Sequence, residues 1–303
     1  MALLSALRAG DGVLLVVNPG SRRGAGRQIA AVQELQRAGL KCDVLVTEAP
    51  GHAAEAVARA GARYAAVFTL GGDGTVMEVA AALVGQRTPV GVLPGGTGNL
   101  IARAFGIPLG VRHAVRALLA GGEASIDLGR LGDGRCFAFA AGVGVDAYMV
   151  AHTPARWKRR LGVLAYTLTA ARGVLRYPDF QLRAEVDGQV LETRARGVML
   201  ANFGTVLNRL LTLGPGIRHD DGKLDLCVFS PSSAAAGARI VWRLSRRDFR
   251  PAADMLWLSG RRFRIETDPP LPAQADGDLL GMTPFSAEVI PLAVRLLVPA
   301  HAS

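Results

Sequence analysis

A parallel α/β domain followed by a β-rich, largely antiparallel one is the architecture that this 303-residue sequence predicts. Roughly the first 125 residues alternate short, continuous apolar runs with segments of helical spacing, the pattern of a parallel sheet covered by helices on both faces. From about Ser125 the apolar segments shorten and are punctuated by Asp133-Gly134, Asp187-Gly188, Asp221-Gly222 and Asp276-Gly277, pairs suited to tight hairpins. The length suits two ordinary domains, each with a real core. The expected division is 1–124, with a segment at about 292–303 able to return to it, and 125–291.

Along the first half, Val13–Val17 reads as a buried strand ending at Asn18-Pro19-Gly20. Gln28–Ala38 has helical spacing, with Ile29, Val32 and Leu35 facing inward and Gly39 closing it. Cys42–Thr47 is the second strand, and His52–Ala60 a helix after the Pro50-Gly51 turn. Ala65–Leu70 is the third strand, with a helix over Val76–Val84, and Pro89–Leu93 the fourth, ending in Pro94-Gly95-Gly96-Thr97-Gly98-Asn99. Three glycine-rich loops thus follow strands one, three and four, at the sheet edge where ligands of such folds bind. In the second half, Arg135–Ala141, Gln181–Val186, Gly197–Ala201, Leu224–Phe229 and Arg262–Glu266 read as strands of a sandwich or flattened barrel. Pro154–Tyr177 reads as a helix, with Trp157, Leu161, Leu164, Leu168, Ala171 and Leu175 on one stripe.

Half the residues are apolar and a fifth charged, which excludes general disorder. The net charge of +10 is carried almost wholly by arginine and suits phosphorylated ligands or an anionic membrane surface. It would also suit nucleic acid, but no aromatic stacking pattern accompanies it, so no nucleic-acid partner is expected. Cys42, Cys136 and Cys227 are far apart, odd in number and in apolar contexts, so buried free thiols are expected. The five histidines do not cluster. The segment from Met1 to Gly12 lacks the core of a signal peptide, and no run is long enough to span a bilayer, so a cytoplasmic location is expected.

The chemistry concentrates at Leu70-Gly71-Gly72-Asp73-Gly74-Thr75-Val76-Met77-Glu78. Glycines where a strand hands over to a helix let backbone N–H groups approach a phosphate, and the helix dipole favours the anion. An aspartate there would repel a bare phosphate, so a divalent cation such as magnesium belongs between them. Read alone, the segment is equally a tight turn with Asp73 as a cap. Asn18-Pro19-Gly20-Ser21-Arg22-Arg23 has neither P-loop nor dinucleotide spacing, though a serine and two arginines suit a phosphate tail. In the third loop, Asn99 alone reads as a helix cap. Three such loops on one edge favour a nucleotide site over coincidental turns.

This set of motifs resembles the diacylglycerol kinase catalytic-domain family, particularly its soluble bacterial lipid kinases, with sphingosine kinases as relatives. The resemblance continues through Phe139-Ala140-Ala141-Gly142-Val143-Gly144-Val145-Asp146-Ala147, Asp221-Gly222-Lys223-Leu224-Asp225-Leu226, and Ala275-Asp276-Gly277-Asp278 with Thr283-Pro284-Phe285. It implies an NAD-kinase-like nucleotide domain, a C-terminal antiparallel β-sandwich, and a cleft between them. Asn18, Pro19, Gly20, Ser21, Arg22, Thr47, Gly71, Gly72, Asp73, Gly74, Thr75, Val76, Met77 and Thr97 would then line the ATP site. Asp73 would organise the catalytic Mg2+, and Asp221 a second one with the carbonyls of Arg218 and Lys223. Asp278 would be the catalytic base. Three departures stand out. The family commonly has glutamate at the position of Asp278, Leu100 replaces an aspartate usual after Asn99, and Asn202–Gly216 lacks a run of consecutive glycines.

The function expected is therefore ATP-dependent phosphorylation of a lipid alcohol, diacylglycerol first, by a protein peripherally associated with an anionic membrane surface. A homodimer is compatible with it. The stripe from Trp157 to Leu175, flanked by Lys158, Arg159, Arg160, Arg172 and Arg176, suits either acyl contact or core packing. The competing functions are an NAD kinase, whose Gly-Gly-Asp-Gly-Thr loop is similar, and more remotely a sugar-phosphate kinase. A non-catalytic lipid- or nucleotide-binding protein of the same fold is the alternative outside enzymes.

Overall fold

The computed structural model describes residues 2–10, 12–20, 24–144, 178–206 and 211–300. Ser21 and Arg22 and the expected helix over Pro154–Tyr177 lie outside these residues. The chain forms two compact units, Met1–Ile126 with Leu292–Ser303, and Asp127–Pro291.

In the first unit, α1 (Ala2–Ala9) precedes β1 (Val13–Val17), α2 (Gly24–Arg37), β2 (Cys42–Val46) and α3 (His52–Ala60). Then come β3 (Ala66–Gly71), α4 (Asp73–Ala82), β4 (Val90–Pro94), α5 (Leu100–Ala104), α6 (Val111–Leu119) and the start of β5 (Gly122–Leu131). The strands run parallel in the order β2-β1-β3-β4, and the end of β18 (Phe285–Val298) adds to β4 in parallel. Every residue of β1, β3 and β4 is buried, as expected of strands covered on both faces. Helix α2 packs against α6 and α3 against α4. Gly91 makes room for the Phe68 ring, since a Cβ there would stand 2.4 Å from it.

Three expectations change. Ile29, expected to face inward, is 58% exposed and Val32 is half-buried, so Leu35 alone of the three lies in the core. Strand β2 lies at the sheet edge with Val44 and Val46 exposed, so its apolar run is not a doubly covered strand. Helix α4 begins at Asp73 rather than Val76, which puts the carboxylate and Thr75 inside its first turn.

The second unit continues β5 and adds β6 (Cys136–Phe137), β7 (Ala140–Gly144), β8 (Phe180–Val186), β9 (Gln189–Ala195), β10 (Gly197–Ala201) and the short β11 (Thr205–Val206) and β12 (Leu211–Thr212). After them come β13 (Leu224–Phe229), α7 (Ala234–Arg246), β14 (Met255–Gly260), β15 (Arg262–Asp268), β16 (Pro272–Ala275), β17 (Asp278–Met282) and the first part of β18. One antiparallel sheet has the order β14-β13-β10-β7-β16-β17, and the other pairs β18, β15, β8 and β9. Strand β8 alternates buried and exposed without a break, as a strand with one covered face must. Its Phe180 and Leu182 share a core with Phe263 and Ile265 of β15 and with Val198, Leu200, Leu224 and Leu226 of the facing sheet. This is a β-sandwich. The strand expected over Arg135–Ala141 is broken in two at Ala138-Phe139. Cys227 is buried as expected, but Cys42 and Cys136 are only half-buried; all three are free thiols, and desolvation lifts Cys42 to about 11.

Candidate active site

Strand register brings the loops of the first unit together. Val17 lies level with Val46 on one side and Leu70 on the other, and Gly71 lies level with Pro94. Thr47, Asn18, Gly71-Gly72 and Gly95 therefore leave the sheet at one edge. Thr47 N donates to Val17 O (2.8 Å), Asn18 N to Leu70 O (3.0 Å) and Gly95 N to Gly71 O (2.9 Å). The Asn18 amide spans two loops: Nδ2 donates to Thr75 Oγ1 (3.0 Å), while Oδ1 accepts from Gly20 N (2.9 Å). Arg27, a residue that motif reading passes over, donates to Pro94 O (3.0 Å) and ties α2 to the third loop.

The glycines here do two different things. A Cβ on Gly95 would stand 2.9 Å from Gly71 O, one on Gly96 2.7 Å from Gly72 Cα, and one on Gly71 2.7 Å from Thr75. Gly95 and Gly96 let two loops touch backbone to backbone, while Gly71 leaves room for the Thr75 side chain. Gly74 differs: nothing lies within 4 Å of where its Cβ would be, although it sits in a helix, where glycine is disfavoured by about 1 kcal/mol relative to alanine. Packing does not explain it.

Asp73 is the first residue of α4, and its Oδ1 accepts from the N–H of Leu100 (2.6 Å), the first residue of α5. The carboxylate thus serves the start of a second helix. Asn99 is left-handed (φ 48°) and does not cap α5 with its side chain, contrary to the capping expectation. It instead closes the glycine loop through Gly96 N→Oδ1 and Nδ2→Gly96 O, both 2.9 Å. Burial pushes the Asp73 carboxyl up, against the opposing pull of the Leu100 and Asn99 N–H groups and the Arg103 charge. A carboxylate raised by desolvation gains most from a nearby cation, so this position fits a metal-bound phosphate. Thr97 is exposed at the loop tip and Met77 is half-buried. The Val76 side chain is buried in the interior and its N–H donates to Gly72 O (3.2 Å), so Val76 serves chiefly packing.

In the second unit the structure separates the two aspartates that flank Gly277. The Asp276 carboxylate accepts from three successive backbone N–H groups, Ala138 (2.6 Å), Phe139 (2.8 Å) and Ala140 (3.0 Å). It is a strut between the hairpin and the break in the β6–β7 segment. Asp278 opens β17, is exposed, and contributes a field that raises the Arg135 guanidinium, behind the larger effect of Asp133. Of the pair, Asp278 is the one placed to meet another molecule.

Asp221 is exposed; its Oδ1 accepts from Lys223 N (3.1 Å), and the Arg218 guanidinium pairs with Asp220 (3.0 Å), so Arg218 could offer a cation only its carbonyl. Carboxylate and carbonyl oxygens are the donors that magnesium and calcium take. Among the described residues no group of three or more His, Cys, Asp or Glu is arranged to hold a metal, so a cation here would depend on main-chain oxygens.

Supporting this turn is a buried network that sequence reading does not single out. Asp127, fully buried, accepts from Gly222 N (2.7 Å) and donates its own N–H to His219 O (2.6 Å). Asn202 donates to Asp127 O (2.8 Å) and Ala138 O (2.7 Å), joining the turn to the segment that Asp276 holds. Phe139, Phe203 and His219 stack at 4.4 and 4.7 Å between ring centres, and desolvation lowers the His219 pKa. The available signal was a lone aspartate inside the apolar run Ile126-Asp127-Leu128.

Glycine loops at a parallel sheet edge, a desolvated carboxylate in the first turn of a helix, and a sandwich unit bearing an exposed carboxylate define a phosphotransferase class. Comparison with known proteins makes the class specific. Residues 12–131 match the diacylglycerol kinase catalytic domain, and residues 140–298 match the YegS C-terminal NAD kinase beta sandwich-like domain. The chain is 33% identical over 305 residues to a Pseudomonas aeruginosa protein named probable lipid kinase YegS-like, covering 96% of this chain and 95% of that one. It is 26% identical to the diacylglycerol kinase of Bacillus subtilis, over 89% of this chain and 90% of the relative. An uncharacterized Synechocystis protein matches at 30% identity over 78% of this chain, which spans only 55% of that relative's length. A crystal structure of a diacylglycerol kinase from Bacillus anthracis superposes with a TM-score of 0.75 at 22% identity, over 97% of this chain and 98% of the other, and shows the same fold. The chain belongs to the lipid kinases of the diacylglycerol kinase and YegS family.

Proposed function

We propose that this chain transfers the γ-phosphate of ATP to the hydroxyl of a lipid alcohol, diacylglycerol being the first acceptor to test and phosphatidic acid its product. The observation that carries the nucleotide half is Gly74, a helix glycine with open space around it beside a desolvated Asp73. Nucleotide phosphates would lie along Asn18, Pro19, Gly20, Ser21, Arg22, Thr47, Gly71–Met77 and Thr97, with Val76 contributing through its place in α4. Asp73 would hold a magnesium ion directly or through water, and Asp221 a structural one with the carbonyls of Arg218 and Lys223. Bound there, magnesium would neutralise charge on the transferring phosphate. Asp278 takes the acceptor proton as the new O–P bond forms and the bond to ADP breaks. Such a base contributes about 10²–10⁴-fold.

We assign the nucleotide to 1–124 with about 292–303, and the acceptor to 125–291. Among the described residues no helix is long and apolar enough to cross a membrane, so the enzyme would reach its substrate from the aqueous side, as a cytoplasmic protein at an anionic surface. Membership of a family described by diacylglycerol favours that acceptor over NAD, whose kinases share the sandwich description. The test offers ATP with diacylglycerol, sphingosine, phosphatidylglycerol, a polyprenol and NAD in mixed micelles, and identifies the product by mass spectrometry. A phosphorylated lipid supports the proposal and names the substrate. Phosphorylated NAD, or no product beside normal ATP binding, overturns it.

A further inference from the structure

Helix α7 has one face whose residues the fold does not use. Ser233 caps it by accepting from Ala236 N (3.2 Å), and Ile240 and Leu244 bury themselves with Met255 against Leu211, Phe249 and Trp257. The opposite face carries Trp242, 66% exposed, beside Val241, 47% exposed. The neighbouring Trp257 shows how this unit accommodates an indole that it needs. Its Nε1 donates to Leu213 O (2.9 Å) and its ring meets Phe249 edge-on at 5.7 Å. Trp242 instead projects into solvent with the Arg246 guanidinium 5.7 Å from its ring centre.

The charge around it is one-sided. Arg239, Arg243, Arg246, Arg247 and Arg250 stand against Asp248 and Asp254 in this stretch. Arg239 pairs with Asp254 (2.7 Å), and Arg250 and Arg243 share Asp248 (2.7 and 3.5 Å). Among the described residues Arg246 and Arg247, at the C-terminal end of the helix next to Trp242, have no carboxylate within ion-pairing distance. An exposed indole and a branched aliphatic side chain, ringed by arginines, is the composition of an interfacial helix: the aromatic enters the headgroup layer and the cations meet its phosphates.

We infer that the Val241–Trp242 face of α7, with Arg246 and Arg247, is a docking surface for an anionic phospholipid bilayer. The inference takes from the lipid-kinase proposal only that the substrate resides in a bilayer; the surface itself is independent of catalysis. Sedimentation with vesicles of phosphatidylcholine, and of phosphatidylcholine with 30% phosphatidylglycerol, tests it. The wild-type protein is expected to bind the anionic vesicles, and less so as salt rises. Replacing both arginines (R246Q/R247Q) should weaken binding about twenty-five-fold, at about fivefold for each cation. Trp242→Ala should weaken it about tenfold. Thermal unfolding of each variant should match wild type, because these side chains support no core. Phosphorylation of a monomeric short-chain diacylglycerol should be unchanged in all of them. Equal binding by wild type and variants, preference for neutral vesicles, or no vesicle binding overturns the inference. So does a change of oligomeric state in Trp242→Ala, which would make the face a contact between copies. If transfer is absent while the variants lose vesicle binding, only the proposed activity falls; if transfer proceeds while they bind normally, only the docking surface does.

Discussion

Replacing Asp276 should destabilise the fold, whereas replacing Asp278 should leave its stability unchanged. The Asp276 carboxylate accepts from Ala138, Phe139 and Ala140 N–H at 2.6–3.0 Å, and a hydrogen bond to a charged group contributes about 1.5–3 kcal/mol. Three partly solvated bonds to one carboxylate fall short of their sum, so Asp276→Ala should cost about 4 kcal/mol, including strain from placing alanine at a left-handed position (φ 47°). Asp276→Asn keeps the left-handed preference and one acceptor oxygen for Phe139 and Ala140. It turns an NH2 group toward the Ala138 N–H, so about 2 kcal/mol should be lost. Urea unfolding at equal slope measures both. Asp278→Asn, at an exposed hairpin position, should lie within about 0.5 kcal/mol of wild type. An Asp276→Ala protein as stable as wild type would refute the assignment of Asp276 as strut and Asp278 as the reacting group.

Other outcomes follow from the same geometry. Gly74→Ala should raise stability by about 1 kcal/mol because nothing opposes the methyl, yet weaken ATP binding in calorimetry. Gly96→Ala, whose methyl would stand 2.7 Å from Gly72 Cα, should instead destabilise by about 1–3 kcal/mol. The folded-state pKa of Asp73 is raised, so it favours the fold at pH values below its unfolded pKa and loses that contribution as pH rises through its folded pKa. Asp73→Asn should therefore be at least as stable as wild type near neutrality in thermal unfolding, while transfer is lost. Glu34 is held below the ordinary carboxylate range, first by Arg116, so the α2–α6 contact should lose stability as pH falls through that lowered value. Glu34→Gln should flatten the acid limb of the unfolding midpoint.

Much of this was legible in the sequence because it is written in local pattern. Continuous apolar runs before glycine loops predict buried parallel strands, and β1, β3 and β4 are those strands. Strand β2 misleads because an edge strand can carry the same valines. Helix α7 does not stand out in the sequence because Ala234–Arg246 sits among strand-like segments, and only Ile240 and Leu244 form its large apolar stripe. Partnership across distance was not legible. No pattern in Asp276-Gly277-Asp278 tells which aspartate three remote N–H groups will claim. Asp127 and Asn202 acquire meaning only when Gly222 and Ala138 are brought to them, and the role of Gly95 and Gly96 appears only when Gly71 and Gly72 lie opposite.

The most direct test is transfer of labelled γ-phosphate from ATP to diacylglycerol in mixed micelles by wild-type, Asp73→Asn and Asp278→Asn proteins of matched stability. Labelled phosphatidic acid from wild type, about 10²–10⁴-fold less from Asp278→Asn and none from Asp73→Asn, is the predicted result. Undiminished transfer by Asp278→Asn would contradict its role as base, and label on NAD rather than on lipid would contradict the proposed function.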